Sequence, residues 1–252
     1  MALILGIILI ILMIAIGEER GMAGVFVLIG NMILLWFCIK LIADGCPIFF
    51  ILFMISIIFT GMTLFAQNGF NRKTVSAFIS VIIIMAILLT FCGYCIYRMG
   101  LGGYNEFDLY GDEAPFLNNK IHIDSFRIMT SVVILGLLGA ITDTALSVSS
   151  SVFQIFESNP ALTEKELRKS GNNIGRDILG TTVNTLFFAG IGESLLMFMM
   201  CSHNRYNIGE LLNSKAFLQQ LFVMIIANLG CICVLPVSAW ISAWIYRKTY
   251  KE

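Results

Sequence analysis

Apolar runs alternate with short polar breaks along this chain. The runs cover roughly residues 2–16, 22–42, 47–66, 74–97, 126–153, 177–201 and 216–246. A helix needs about 20 mostly apolar residues to cross a bilayer, so the pattern predicts about seven spans. The first run is short, but no basic stretch precedes it and no small-x-small cleavage signal follows it. It reads as a short span rather than a removed leader. Glu18-Glu19-Arg20-Gly21, Asp44-Gly45-Cys46-Pro47 and Gln67 to Lys73 supply the first three breaks. Pro236 predicts a kink or an interfacial first turn in the last, long run. The fold expected is all-α, a polytopic transmembrane helical bundle forming a single membrane domain over 1–252.

Two hydrophilic segments interrupt the runs, 98–125 and 154–176. The first holds Asp108, Asp112, Glu113 and Asp124. In the second, Asn159-Pro160 predicts a turn, and Thr163-x-x-Glu166 is a capping-box pattern that opens a short helix. That helix is expected to weaken at Ser170-Gly171.

Polar positions inside the spans carry the functional signal. Gly136, Gly139, Asp143, Ser147, Ser150 and Gln154 recur every three or four residues, which places them on one helical face. Val133, Leu137, Ile141 and Val148 lie opposite and suit lipid or apolar packing. The small residues suit close approach of another helix. In the sixth span Asp177, Thr181 and Asn184 share a face, with Gly180, Thr185 and Gly192 nearby and Gly171 and Gly175 leading in. Two antiparallel helices with such faces are expected to pair them. A carboxyl inside a span marks an ion, proton or substrate path, or pairs with a basic partner. Arg176 is the candidate partner for Asp143. The competing reading is structural: serines and threonines bond their own i−4 carbonyls, and Asp177 is an interfacial N-cap. Asn31 and Asn228 suit helix–helix hydrogen bonding, and Glu193 suits either a cavity or the outer boundary.

Composition agrees with the pattern. The chain is 58% hydrophobic and 13% charged, against about 25% charged in soluble domains. Its formal net charge is zero, so no basic surface suggests nucleic acid. Of 16 Lys and Arg residues, ten fall on one predicted side and six on the other. The positive-inside rule then puts the N-terminus outside and the C-terminus, with Arg247, Lys248 and Lys251, in the cytoplasm. Seven cysteines, mostly in apolar runs, argue against a disulfide framework, and Cys92-x-x-Cys95 reads as buried packing. His122 and His203 are far apart in sequence, and no metal or cofactor site is assigned.

No Walker loop, G-x-S-x-G elbow or H-E-x-x-H motif is present, and no catalytic residue is assigned. Asp143 with Asp177 invites comparison with intramembrane aspartyl proteases, but the flanking Ile141-Thr142 and Gly175-Arg176 match neither of their motifs. The run from Gly139 to Ser151, then Asn159-Pro160, then Ser170 to Thr185 resembles the YibE/F-like family of bacterial multi-spanning membrane proteins. Its pattern is Gly-Ala followed by Asp in an Ala/Ser-rich helix, then Ser-Gly-x-x-Ile-Gly-Arg-Asp and an Asn-Thr pair. Asp143, Ser147, Ser150, Asn159, Gly171, Gly175, Arg176, Asp177, Gly180, Asn184 and Thr185 match by position. The chain departs from the pattern at the bulkier Leu186-Phe187-Phe188 and at Glu193. The resemblance implies a bacterial cell-membrane location and a longer relative as hetero-oligomeric partner.

A permease-like transporter, or a subunit of one, is the function expected. Asp143 is to carry a proton or cation or to orient a small polar solute. Ser147, Ser150, Arg176, Asp177, Thr181, Asn184 and Thr185 complete the candidate site, and helix ends broken near Gly171 and Gly175 are to expose backbone groups. The alternatives are a non-catalytic assembly or scaffold partner of the longer relative and, less favoured, an intramembrane hydrolase.

Overall fold

The computed structural model describes residues 2–103, 105 and 125–250, and among them it contains helices and no strands. Most of the 98–125 segment, with Asp108, Asp112, Glu113, Asp124, Lys120 and His122, lies outside the described residues. The helices are α1 (Ala2–Ala43), α2 (Ile48–Gly61), α3 (Arg72–Met99), α4 (Ser125–Ser158), α5 (Glu164–His203), α6 (Ile208–Asn213) and α7 (Lys215–Tyr250). Six of them are long and apolar enough to cross a membrane, so this is a multi-pass membrane protein.

The count of spans turns on α1. A straight helix of its 42 residues would be about 60 Å long, twice the hydrocarbon thickness of a bilayer. It is not straight: Glu18 breaks it with φ 48° and ψ −126°. Beyond the break the chain doubles back, and a Cβ at Gly21 would collide with the Met13 carbonyl. The two arms of α1 correspond to the first two predicted runs. The break falls in the polar Glu18-Glu19-Arg20-Gly21 stretch, where the sequence places it.

Local chemistry explains the other boundaries. Pro47 precedes α2, which ends in a π-helical turn at Met62–Ala66. There Asn31 reaches across from α1 to Thr63 at 3.5 Å. Asn228 instead bonds the Met224 carbonyl of its own helix at 2.8 Å. Thr74 Oγ1 accepts the Asn71 amide at 3.0 Å to cap α3, and Gly100 closes that helix in the left-handed conformation (φ 63°). Glu166 accepts the Thr163 amide at 2.8 Å, forming the predicted capping box. The helix it opens does not weaken at Ser170-Gly171. It continues through Asp177 to His203, so the predicted short helix and sixth span are one rod. Nor does Pro236 end α7.

The core forms where α3, α4 and α7 meet, with α5 packed on α4 and α7 and with α1 and α2 on the α3 side. Val133, Leu137, Ile141 and Val148 of α4 are all at most 1% exposed. Of the two environments predicted for that face, the structure has apolar packing. Cys92 is also fully buried.

Close approach is achieved with small residues. Gly230 of α7 lies against Ile141, and Gly171 of α5 lies between Val152 and Ala239. Serines do the same while sharing hydrogen bonds across helices. Ser149 of α4 donates to the Lys73 carbonyl of α3 at 2.8 Å and meets Ser76 Oγ. Ser242 of α7 donates to Ser76 at 3.1 Å, and Tyr246 donates to the Ser149 carbonyl at 3.2 Å. The Tyr246 ring packs edge-on to Phe153 and stacks with Phe156.

The loops sort into two ends. Arg247 bonds the Pro160 carbonyl at 3.3 Å, and Lys73 meets Ser149 at that same end. At the other, Arg127 donates to Cys46 O at 3.2 Å and Lys215 to Gly102 O at 2.5 Å. Loops predicted to share a side of the membrane share an end of the bundle.

Candidate functional site

The packing of α4 turns its polar face away from the core and towards α5. Between the two helices lies a groove of about 510 Å³ lined by Gly136, Gly139, Ala140, Asp143, Thr144, Ser147, Thr181, Thr182, Thr185 and Leu186. Of the face predicted on the sixth span, Thr181 lines the groove together with the nearby Thr185. Glycines make the room: nothing lies within 4 Å of where a Cβ would stand at Gly136 or Gly139.

Depth follows from helix geometry. Ser149 is bonded to Lys73 O, and Lys73 is in the first turn of α3, so this level is close to a membrane boundary. Asp143 is six residues further along α4, about 9 Å deeper at 1.5 Å per residue. That is well inside a hydrocarbon core about 30 Å thick. Ser147 and Gln154 are exposed and Ser150 is half-buried. With Ser147 they continue the Asp143 face towards that boundary, as their spacing predicts.

Three of the groove's hydroxyls have a fixed polarity. Thr144 donates to the Ala140 carbonyl at 2.8 Å, Thr181 to Ile178 O at 2.9 Å and Thr185 to Thr181 O at 2.9 Å. Each spends its proton within its own helix, as the structural reading of membrane threonines anticipates. What each offers outward is an oxygen lone pair. With the Asp143 carboxylate these make the groove rich in acceptors, suited to a cation or a proton donor, while Ser147 and Thr182 add two further hydroxyls. Among the described residues no three His, Cys, Asp or Glu side chains cluster, so neutral oxygens would have to complete any cation shell.

The predicted site is only partly assembled. Asp143, Ser147, Thr181 and Thr185 line the groove, whereas Ser150, Arg176, Asp177 and Asn184 do not. Arg176, Asp177 and Asn184 are exposed on α5, and no ion pair joins Arg176 to Asp143 among the described residues. Asp177 lies inside a continuous helix and is not an N-cap. The paired-carboxylate geometry of an aspartyl protease thus finds no support in the groove. The glycines part company too. Gly171 and Gly175 are buried packing positions, Gly175 against Leu235, while Gly180 is open. No broken helix end is present at either of the first two, because close packing holds α5 intact across them.

Thr144 and Thr182 were missed by sequence reasoning. Both were discoverable: Thr144 follows Ala140 and precedes Ser147 at helical spacing, and Thr182 precedes Thr185 by three. A separate cavity of about 260 Å³ near the other end of α5 is lined by residues including Glu193, Ser194, Met197 and Gln219, so Glu193 does face a cavity.

No curated protein and no solved structure matches the chain. The family model described as YibE/F-like protein matches residues 5–248. That match spans nearly the whole molecule, including the groove and every helix around it, and the chain belongs to the YibE/F-like family.

Proposed function

We propose that the α4–α5 groove is the ion site of a permease-like transporter, or of a transporter subunit, in the bacterial cell membrane. The supporting observation is a carboxylate about 9 Å inside the membrane boundary in a groove where three threonine hydroxyls present oxygens. An intramembrane carboxylate without an ion pair is costly unless water, a proton or a cation reaches it. The polar face from Gln154 through Ser150 and Ser147 supplies that approach. Asp143 binds a proton or small cation, Thr144, Thr181 and Thr185 contribute oxygens, and Ser147 marks the mouth. The basic residues at the Arg72–Arg247 end favour a cytoplasmic opening with the N-terminus outside.

The test is transport. In proteoliposomes, cation or proton flux catalysed by the wild-type protein should be abolished by Asp143→Asn, with the variant reconstituting in equal amount. Undiminished flux through Asp143→Asn would overturn the mechanism.

A second reading is favoured by Arg176, Asp177 and Asn184, which face outward from α5 beyond the groove. Exposed polar groups at membrane depth suit burial against another membrane protein. A longer family relative docked on α5 would supply it, with the groove serving assembly rather than transport. Variants of the outward trio would then lose co-purification of that partner, and no ion or solute would shift the melting of the wild-type protein.

A further inference from the structure

A second cavity of about 510 Å³ opens at the membrane boundary between the start of α3 and the end of α4, and it shares no residue with the Asp143 groove. Its lining is Asn71, Arg72, Lys73, Phe153, Phe156 and Glu157. The volume lies in the usual range for small-ligand sites, about 300–1,000 Å³. Among the described residues the Arg72, Lys73 and Glu157 side chains make no ion pair with one another or with any neighbour. Two cations and one carboxylate thus border one cavity without neutralising each other.

Their placement is polarised. Arg72 and Lys73 stand in the first turn of α3, where the helix dipole favours an anion. Glu157 stands in the last turn of α4, where the dipole favours a cation. The aromatic rings of Phe153 and Phe156 lie on the Glu157 side, since all three belong to α4. Ring faces attract an ammonium and also shelter methylenes. A simple anion would satisfy the first half and meet repulsion from Glu157. A simple cation would do the reverse.

The geometry points to a zwitterionic phospho-ammonium ligand, a phosphoethanolamine group, seated with its phosphate on Arg72 and Lys73 and its ammonium on Glu157 and the two rings. At a membrane boundary such a group is available as a phospholipid head, and it also exists as the free ester. The chemistry recognised is the same in both, and the source is for experiment to assign.

Native mass spectrometry of the detergent-purified protein tests this, with phosphatidylethanolamine, phosphatidylglycerol, free phosphoethanolamine and inorganic phosphate as probes. Wild type should retain phosphatidylethanolamine in preference to phosphatidylglycerol. Glu157→Gln should erase that preference. Arg72→Gln with Lys73→Gln should weaken retention about tenfold, the scale of a lost charge-assisted bond to phosphate. Retention of free phosphoethanolamine with the same dependence on these variants, in place of the lipid, would support the site and assign it to the soluble ester. All three positions are at the protein surface, and melting without added lipid verifies folding of each variant. Equal retention of both lipids by wild type, or undiminished phosphatidylethanolamine retention by variants that melt normally, would overturn the proposal. So would retention of inorganic phosphate as strong as that of phosphoethanolamine.

Discussion

At the scale of single residues, hydroxyl groups act in two different ways here. Those of Thr144, Thr181 and Thr185 bond within their own helices and present oxygens to the groove. Those of Ser76, Ser149, Ser242 and Tyr246 instead join α3, α4 and α7. Tyr246→Phe removes only the hydroxyl and keeps the rings stacked. It should lower the unfolding free energy in detergent by about 1 kcal/mol, the net worth of one such bond. Denaturant unfolding of the two proteins measures the difference, and equal stabilities would show that the network holds nothing. Thr181 and Thr185 were legible from the polar pattern of their own span, whereas Thr144 and Thr182 were not singled out. The Ser149–Tyr246 contact was not legible, since 97 positions separate its members and no local pattern links them.

At the scale of elements, α5 departs most from its predicted form. Glycine lowers helix propensity by about 1 kcal/mol relative to alanine, so Gly171 read as a weak point. Packing reverses the inference: a Cβ there would stand 2.5 Å from Val152 Cγ2 and 3.3 Å from the Ala239 Cβ. Tertiary contact outweighs propensity in setting where a helix forms. Gly171→Ala should therefore destabilise the protein by about 1–3 kcal/mol through overpacking. Gly180→Ala, where nothing lies within 4 Å, should stabilise it by about 0.5–1 kcal/mol. Melting temperatures of the two variants check this, and shifts of the same sign would contradict the assignment of Gly171 to packing. The capping box at Thr163-x-x-Glu166 and the break in the Glu18 to Gly21 stretch were legible, because their signals are confined to four consecutive residues.

At the scale of the whole molecule, the bundle buries the apolar face of α4 and leaves its polar face to a groove shared with α5. The periodicity of the sequence separates the two faces but does not say which one meets the core. In a membrane both lipid and protein interior are apolar, so hydrophobicity alone does not choose between them. The pairing of α4 with α5 was readable from the short Asn159-Pro160 connection and the matched polar faces. The outward position of Arg176, Asp177 and Asn184 was not, since it depends on the rotation of α5 that Gly171 and Gly175 impose by packing against Ala239 and Leu235.

The central claim is that Asp143 and the threonine oxygens bind a cation or a proton. Thermal unfolding of the purified protein against sodium, potassium and pH, with Asp143→Asn alongside, tests it most directly. A cation at ~100 times its dissociation constant should stabilise wild type by about 2.7 kcal/mol. The effect should fade as pH falls, because proton and cation compete for one carboxylate, and should vanish in Asp143→Asn. If proton binding alone occupies the site, the pH dependence of melting should itself change in the variant. A variant that responds to cations and pH as wild type does would contradict the account.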